Sequence, residues 1–310
     1  MDEQLIALYH RHVATAFDRK LRLAAFVALK AGKVKARYEV ATAALAFGPA
    51  LAFEAPLLGA HAHGNNAWLW AWANRNLKLT VTNRALGDLV RVTAHRLGVP
   101  MLAHPGFSLE PLLGPDLTPH AAEVLGTILG RELDYDAHHI VPEEGHDSAI
   151  LVRHDRLKFT ERYPLHRVLT VFPKAVAALP VLDHRAALAD YARDYGLTAG
   201  VAEGVLTITD GKGTLTATFD AHDRLTTLDG VGVAVPPVKK PAAKKVAKSP
   251  AEKPAKKPAK PAAKKAMPAK PAPKAKAGAK KPAAKAVMAK KVAAKKPAPK
   301  PGAKTAAKKR

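Results

Sequence analysis

Residues 67–76 read AWLWAWANRN, and the three tryptophans of the chain, Trp68, Trp70 and Trp72, fall on alternate positions within them. Alternation is the period of a β-strand, so the three indoles are expected on one face and Leu69, Ala71 and Ala73 on the other. A strand apolar on both faces belongs inside a sheet covered on each side, and the rings are expected to fill core. Base or sugar stacking is the competing use of such a row, but only Arg75 and Lys78 stand near it to support a nucleic-acid platform. Asn74 closes the run as a turn cap or as the rim of a pocket.

Working outward, residues 3–29 carry Leu5, Tyr9, Val13 and Phe17 every four positions, with Leu8, His12 and Ala16 beside them. This predicts a helix with Asp18, Arg19 and Lys20 outside its apolar stripe. Short strands are expected at 36–41 and 44–48. A longer one at 50–63 would be kinked by Pro56 and Gly59, and Gly64-Asn65-Asn66 would turn the chain into the tryptophan strand.

Asn83 is the expected cap of a helix buried through Leu86, Leu89, Val90 and Leu97, with Gly98 and Pro100 ending it. Thr118-Pro119 opens another helix, buried through Val124, Leu125, Ile128 and Leu129. A strand is expected at 147–155, a helix over 168–179, and a capped helix over 183–196. Strands 205–209 and 214–219 flank the turn Asp210–Gly213, and a third is expected at 224–230. Without regular strand–helix alternation, the fold class is α+β, antiparallel sheets packed with helices. It occupies a globular domain of residues 1–235, with sub-lobes at 1–160 and 161–235.

The 310 residues hold 50 Lys and Arg against 26 Asp and Glu, and the excess is confined to one end. Residues 239–310 contain 26 basic side chains and one acid, Glu252, whereas residues 1–238 balance 24 basic against 25 acidic ones. From Pro236 the text is Lys-, Ala- and Pro-rich without aromatics, and burial cannot offset its ordering entropy. Residues 236–310 are therefore expected to be a disordered tail. Its 283–296 stretch lacks proline and could coil into a helix on a polyanion that neutralises its lysines.

The cations come largely as doublets. Lys239 and Lys240, Lys244 and Lys245, Lys256 and Lys257, Lys264 and Lys265, Lys280 and Lys281, Lys290 and Lys291, Lys295 and Lys296, and Lys308 and Lys309 with Arg310 are the expected phosphate-binding positions. No Asn or Gln is present there to read base edges, so binding is expected to be nonspecific and steeply salt-dependent.

Absent cysteines remove disulfides, thiolate nucleophiles and Cys-based zinc sites. No apolar run reaches 18 residues, which predicts a soluble, cytoplasmic protein without membrane association. His61 and His63 would share a strand face. His138, His139, Glu143, Glu144 and His146 crowd into HHIVPEEGH, but the spacing fits no helical HExxH. Pro142 and Gly145 suggest a turn between strands, so this is read as a polar loop with no metal assigned. Ser148 lacks a GxSxG elbow, and neither a P-loop nor GxGxxG occurs. No catalytic residue and no cofactor are therefore expected.

WLWAWAN (68–74) resembles the hallmark of a family of uncharacterised bacterial proteins marked by a Trp-x-Trp-Ala-Trp-Ala-Asn core. DHRAALADYA and the closing LTITDGKGTLTATFDAHDRLTTL extend the pattern. This resemblance implies a bacterial α+β domain and brings no activity with it. The tail resembles those of linker histones and the histone-H1-like Lys-Ala-Pro proteins of bacteria, which implies DNA compaction or tethering. The function expected is nonspecific binding to double-stranded DNA at the nucleoid, with RNA or polyphosphate as other partners of the same charge. The second reading is a ligand-binding or enzymatic body with an incidental polycation. A closed pocket joining the tryptophan face to Asn74 or His61 would favour that second reading. A face filled by Phe17, Phe53 and aliphatic neighbours would count against it.

Overall fold

The structure is a computed structural model and describes residues 1–158 and 161–236. It opens with α1 (Glu3–Ala31), whose first turn is capped by the Asp2 carboxylate accepting the Leu5 N–H at 2.9 Å. A small antiparallel sheet follows in the order β1 (Ala36–Glu39), β2 (Ala44–Phe47), β3 (Leu51–Glu54). Pro56, which has no N–H to give, stands where the expected long strand divides. Its second half, β4 (Leu57–Ala62), belongs to a different sheet.

That sheet runs β6-β5-β4-β8-β7, all antiparallel. It joins β5 (Ala67–Trp70), β6 (Gly106–Ser108) and the hairpin of β7 (Ala137–Glu143) with β8 (His146–Val152). Between its strands lie α2 (Val81–Arg96), α3 (Glu110–Leu117), broken at Gly114 with φ 73°, and α4 (Ala121–Glu132). Helices α5 (Pro164–Ala178) and α6 (His184–Asp194) lead into a third antiparallel sheet. This one is ordered β12-β11-β10-β9, from β9 (Thr198–Ala202), β10 (Val205–Thr209), β11 (Thr214–Phe219) and β12 (Leu225–Val231). The fold class is α+β, as expected.

Strand β8, unlike the tryptophan strand, is enclosed on both sides. Its Ala149 and Leu151 enter the main core with α1, α4 and the tryptophans, while Ile150 and Val152 enter a second core. Leu45, Phe47, Phe53 and the α1 residues Leu23 and Val27 complete that second core. The main core also takes in Val168, Phe172 and Tyr191 of α5 and α6 and Leu206, Ile208 and Leu215 of the last sheet, so one apolar cluster runs through residues 5–217. Among the described residues no helix is long and apolar enough to cross a membrane.

Three local expectations are corrected. Thr80, not Asn83, caps α2 by accepting the Asn83 N–H. Asn83 is buried, and its amide oxygen accepts the Leu57 N–H at 2.9 Å, where the β3–β4 break leaves that donor free of the ladder. Leu89 faces solvent at 51% exposure, because the face α2 buries runs through Asn83, Leu86, Gly87, Val90, Thr93 and Ala94 and Leu89 points away from it. Asp18 lies inside, fully buried, because α5 and α6 close over the α1 face that carries it. It accepts hydrogen bonds from the Arg167 guanidinium, with one at 2.8 Å, and from the Tyr195 hydroxyl.

Candidate functional site

The strand of tryptophans ends early. Chain direction changes after Trp70, and residues 71–73 form a single 3-10 turn, so only Trp68 and Trp70 share a strand face. Both are buried, edge to face with ring centroids 5.3 Å apart, and Phe107 adds a third ring 5.8 Å from Trp70. The opposite face is not covered, and Leu69 is 41% exposed. Trp72 leaves the row and lies on α2 against Gly87, with the Arg91 guanidinium 4.6 Å from its ring centre. Phe17 packs at the edge of the same core, whereas Phe53 belongs to the second one. Asn74 accepts the Asn76 N–H at 3.1 Å and makes the turn. The rings are core, and no stacking platform is presented.

A cleft of about 370 Å³ lies elsewhere, along the C-terminal half of α1. Lys20, Leu23, Ala24, Val27 and Ala28 recur at the three- and four-residue spacing that puts them on one helical face. Phe47, His138 and His139 form the facing wall. The walls are mostly aliphatic and aromatic, and two of their polar side chains, Lys20 and His138, share Glu123 of α4 as a partner. Its carboxylate accepts from Lys20 Nζ at 2.5 Å and bonds His138 Nε2 at 2.9 Å. Gly126, one turn on, makes room for that imidazole, since a Cβ there would stand 2.8 Å from His138 Cδ2.

Electrostatics follow from burial. Desolvation alone would raise the Glu123 carboxyl, but the His138 imidazole and the Lys20 ammonium outweigh it and hold the group well below the carboxylate range. His139 is pushed down to about 4, first by burial and then by Lys20 and His138, so the cleft presents a neutral imidazole at pH 7. Apolar walls ending in an ammonium and an imidazole suit an amphipathic ligand with a polar or anionic head.

The histidines of HHIVPEEGH are dispersed by strand alternation. His138 faces α4, His139 faces Phe47 with ring centroids 5.5 Å apart, and His146 pairs with Glu143 at 3.0 Å near the hairpin turn. Neither Glu123 nor Lys20 was visible as a site from sequence. Position 123 sits beside the Val124–Leu125 face, and only the small residues Gly126, Thr127 and Gly130 hint that a bulky partner packs there. The tail residues Lys239 to Arg310 lie outside the described residues.

Residues 6–155 match the model of a family described as a family of unknown function, DUF6882. The matched span contains α1 from Ile6 onward, the tryptophan stretch, α4 and the β7–β8 hairpin, hence every residue of the Lys20–Glu123–His138 group. It ends before α5. No curated protein and no solved structure matches the chain.

Proposed function

We propose that the protein is a nonspecific nucleic-acid binder of the nucleoid, in which residues 239–310 hold DNA phosphates and the body brings a ligand-binding module to them. The observation that carries this reading is the division of charge. The tail bears 26 basic groups against one acid, while the body is balanced to within one charge. A polycation without base-reading side chains binds by counterion release, whatever the sequence of the duplex. Burial of Trp68 and Trp70 supports the same assignment, because it removes the main stacking surface the body could have offered. The second reading, a ligand-binding or enzymatic body with an incidental polycation, is favoured by the apolar cleft with Lys20 and His139 among its polar lining.

Binding of the full chain and of residues 1–238 to double-stranded DNA across a salt series tests the proposal. The full chain is expected to lose roughly 10³- to 10⁵-fold in affinity between 50 and 200 mM salt if it makes about six to ten phosphate contacts. The truncation is expected not to bind. Equal binding by both would move the nucleic-acid site into the body, and no binding by either would end the nucleoid reading and leave the cleft as the lead.

A further inference from the structure

The β4–β5 turn and the β7–β8 hairpin bring together three ligand-type side chains at one end of the five-stranded sheet. His61 and His63 are two positions apart on β4 and its extension and therefore project to one face, the face of the tryptophans. Asp147 of β8 is the residue directly opposite His61, as Trp68 is on the other flank. The His63 N–H donates to Gly145 O at 3.0 Å, which holds that histidine against the hairpin turn. His63 Nε2 lies 3.0 Å from Asp147 Oδ2, the His61 and His63 rings are 5.1 Å apart, and one ligand atom from each of the three residues falls within 4.8 Å of the others.

We propose that His61, His63 and Asp147 form a binding site for a divalent first-row transition metal, with zinc as the ion best matched to the ligand set. Two imidazoles and one carboxylate suit zinc or iron(II), while magnesium and calcium take all-oxygen shells. Ligand atoms around a tetrahedral zinc stand about 3.3 Å apart, so rotation of exposed side chains closes the present spread without moving the strands.

His61 supplies the independent reason. It is 2% exposed, yet neither ring nitrogen makes a hydrogen bond; the Asn66 amide lies near enough to bias its charge but not to meet bonding geometry. A buried polar ring left unbonded is costly, and a metal would satisfy one of its nitrogens. His63 is 45% exposed and Asp147 26%, so a fourth position opens to solvent and can carry water. His146 and Glu143, close in sequence, pair with each other across the hairpin on the other face and are not part of the set.

The test is titration of the chelator-stripped full chain with Zn²⁺ by calorimetry and with Co²⁺ by its visible d–d absorption. One ion per chain is expected, with affinity reduced at least about tenfold in His63→Ala and in Asp147→Asn and unchanged in His146→Ala. Excess Zn²⁺ is expected to raise the unfolding temperature of the unaltered chain and not of His63→Ala. Absence of saturable Zn²⁺ binding overturns the proposal, as does one-to-one binding that His63→Ala leaves intact. Should Asp147→Asn fail to fold, His63→Ala decides alone, because its side chain is half in solvent.

Discussion

At the scale of single residues, the chain uses glycine to admit bulk. Gly59 lies under Trp68, where a Cβ would come within 2.6 Å of the ring, and Gly126 lies under His138. Two glycines of α4 provide a matched pair. At Gly130 an added Cβ would meet only Leu151 Cδ2 at 3.6 Å, an ordinary contact. Gly130→Ala should therefore gain about 0.5–1 kcal/mol from the lower backbone entropy of alanine in a helix. Gly126→Ala has the same intrinsic gain, but its methyl collides with an imidazole that Glu123 holds in place through Nε2, and a net loss of about 1–3 kcal/mol is expected. Urea unfolding followed by tryptophan fluorescence measures both, and shifts of the same sign would refute the packing account. The burial of the α4 face was legible because its apolar period is clean. What Gly126 does was not, since its partner His138 is twelve residues away and on another element.

At the scale of elements, strands were legible where alternation is simple and illegible where the two faces serve different cores. VLTIT and TLTATF show one apolar face and appear at their expected bounds, 205–209 and 214–219. HHIVPE reads as polar text, yet β7 sends His138 and His139 into opposite layers. The long strand expected over 50–63 divides because Pro56 cannot continue the ladder, and the two halves then pair with different partners.

The position of His139 has a consequence for acid stability. Its imidazole is pushed down to about 4 in the folded protein, against 6.5 when exposed. Above pH 6.5 it is neutral in both states. As pH falls from 6.5 toward 4 the unfolded chain takes up the proton first, so stability is lost across that window. Glu123 acts lower, because its depressed carboxyl costs stability only as pH drops below the ordinary 4.5. Replacing the titrating ring in His139→Leu should reduce the difference in unfolding free energy between pH 7 and pH 4 by about 2 kcal/mol. Denaturant unfolding at the two pH values checks it, and an unchanged difference would mean that the cleft hydrates this imidazole well.

At the scale of the whole molecule, composition separated a neutral body from a cationic tail, and that division needed no structure. The manner in which the body holds together was hidden, because its key is a charge on a helix whose apolar stripe seemed to leave that charge outside. Asp18 of α1 accepts from Arg167 of α5 and Tyr195 just past α6, with Arg22 Nε 3.7 Å away, and so ties the segment before residue 158 to the segment after 161. The main core crosses the same boundary, from Leu5 and Trp70 to Leu206 and Leu215. Two regions sharing one core and one buried ionic hub should unfold as one unit. All three tryptophans lie at 68–72, so their fluorescence reports the first region. Amide exchange at Leu206, Ile208 and Leu215 reports the second. The two probes should give one denaturant midpoint. Asp18→Asn leaves the Arg167 cation without its counter-charge and should cost about 3 kcal/mol. Because the hub belongs to both regions, the loss should move both midpoints by the same amount. If the tryptophan transition stays in place while the exchange transition falls, the last sheet with α5 and α6 unfolds on its own, and α1 is a docking strut rather than the spine of a single cooperative body.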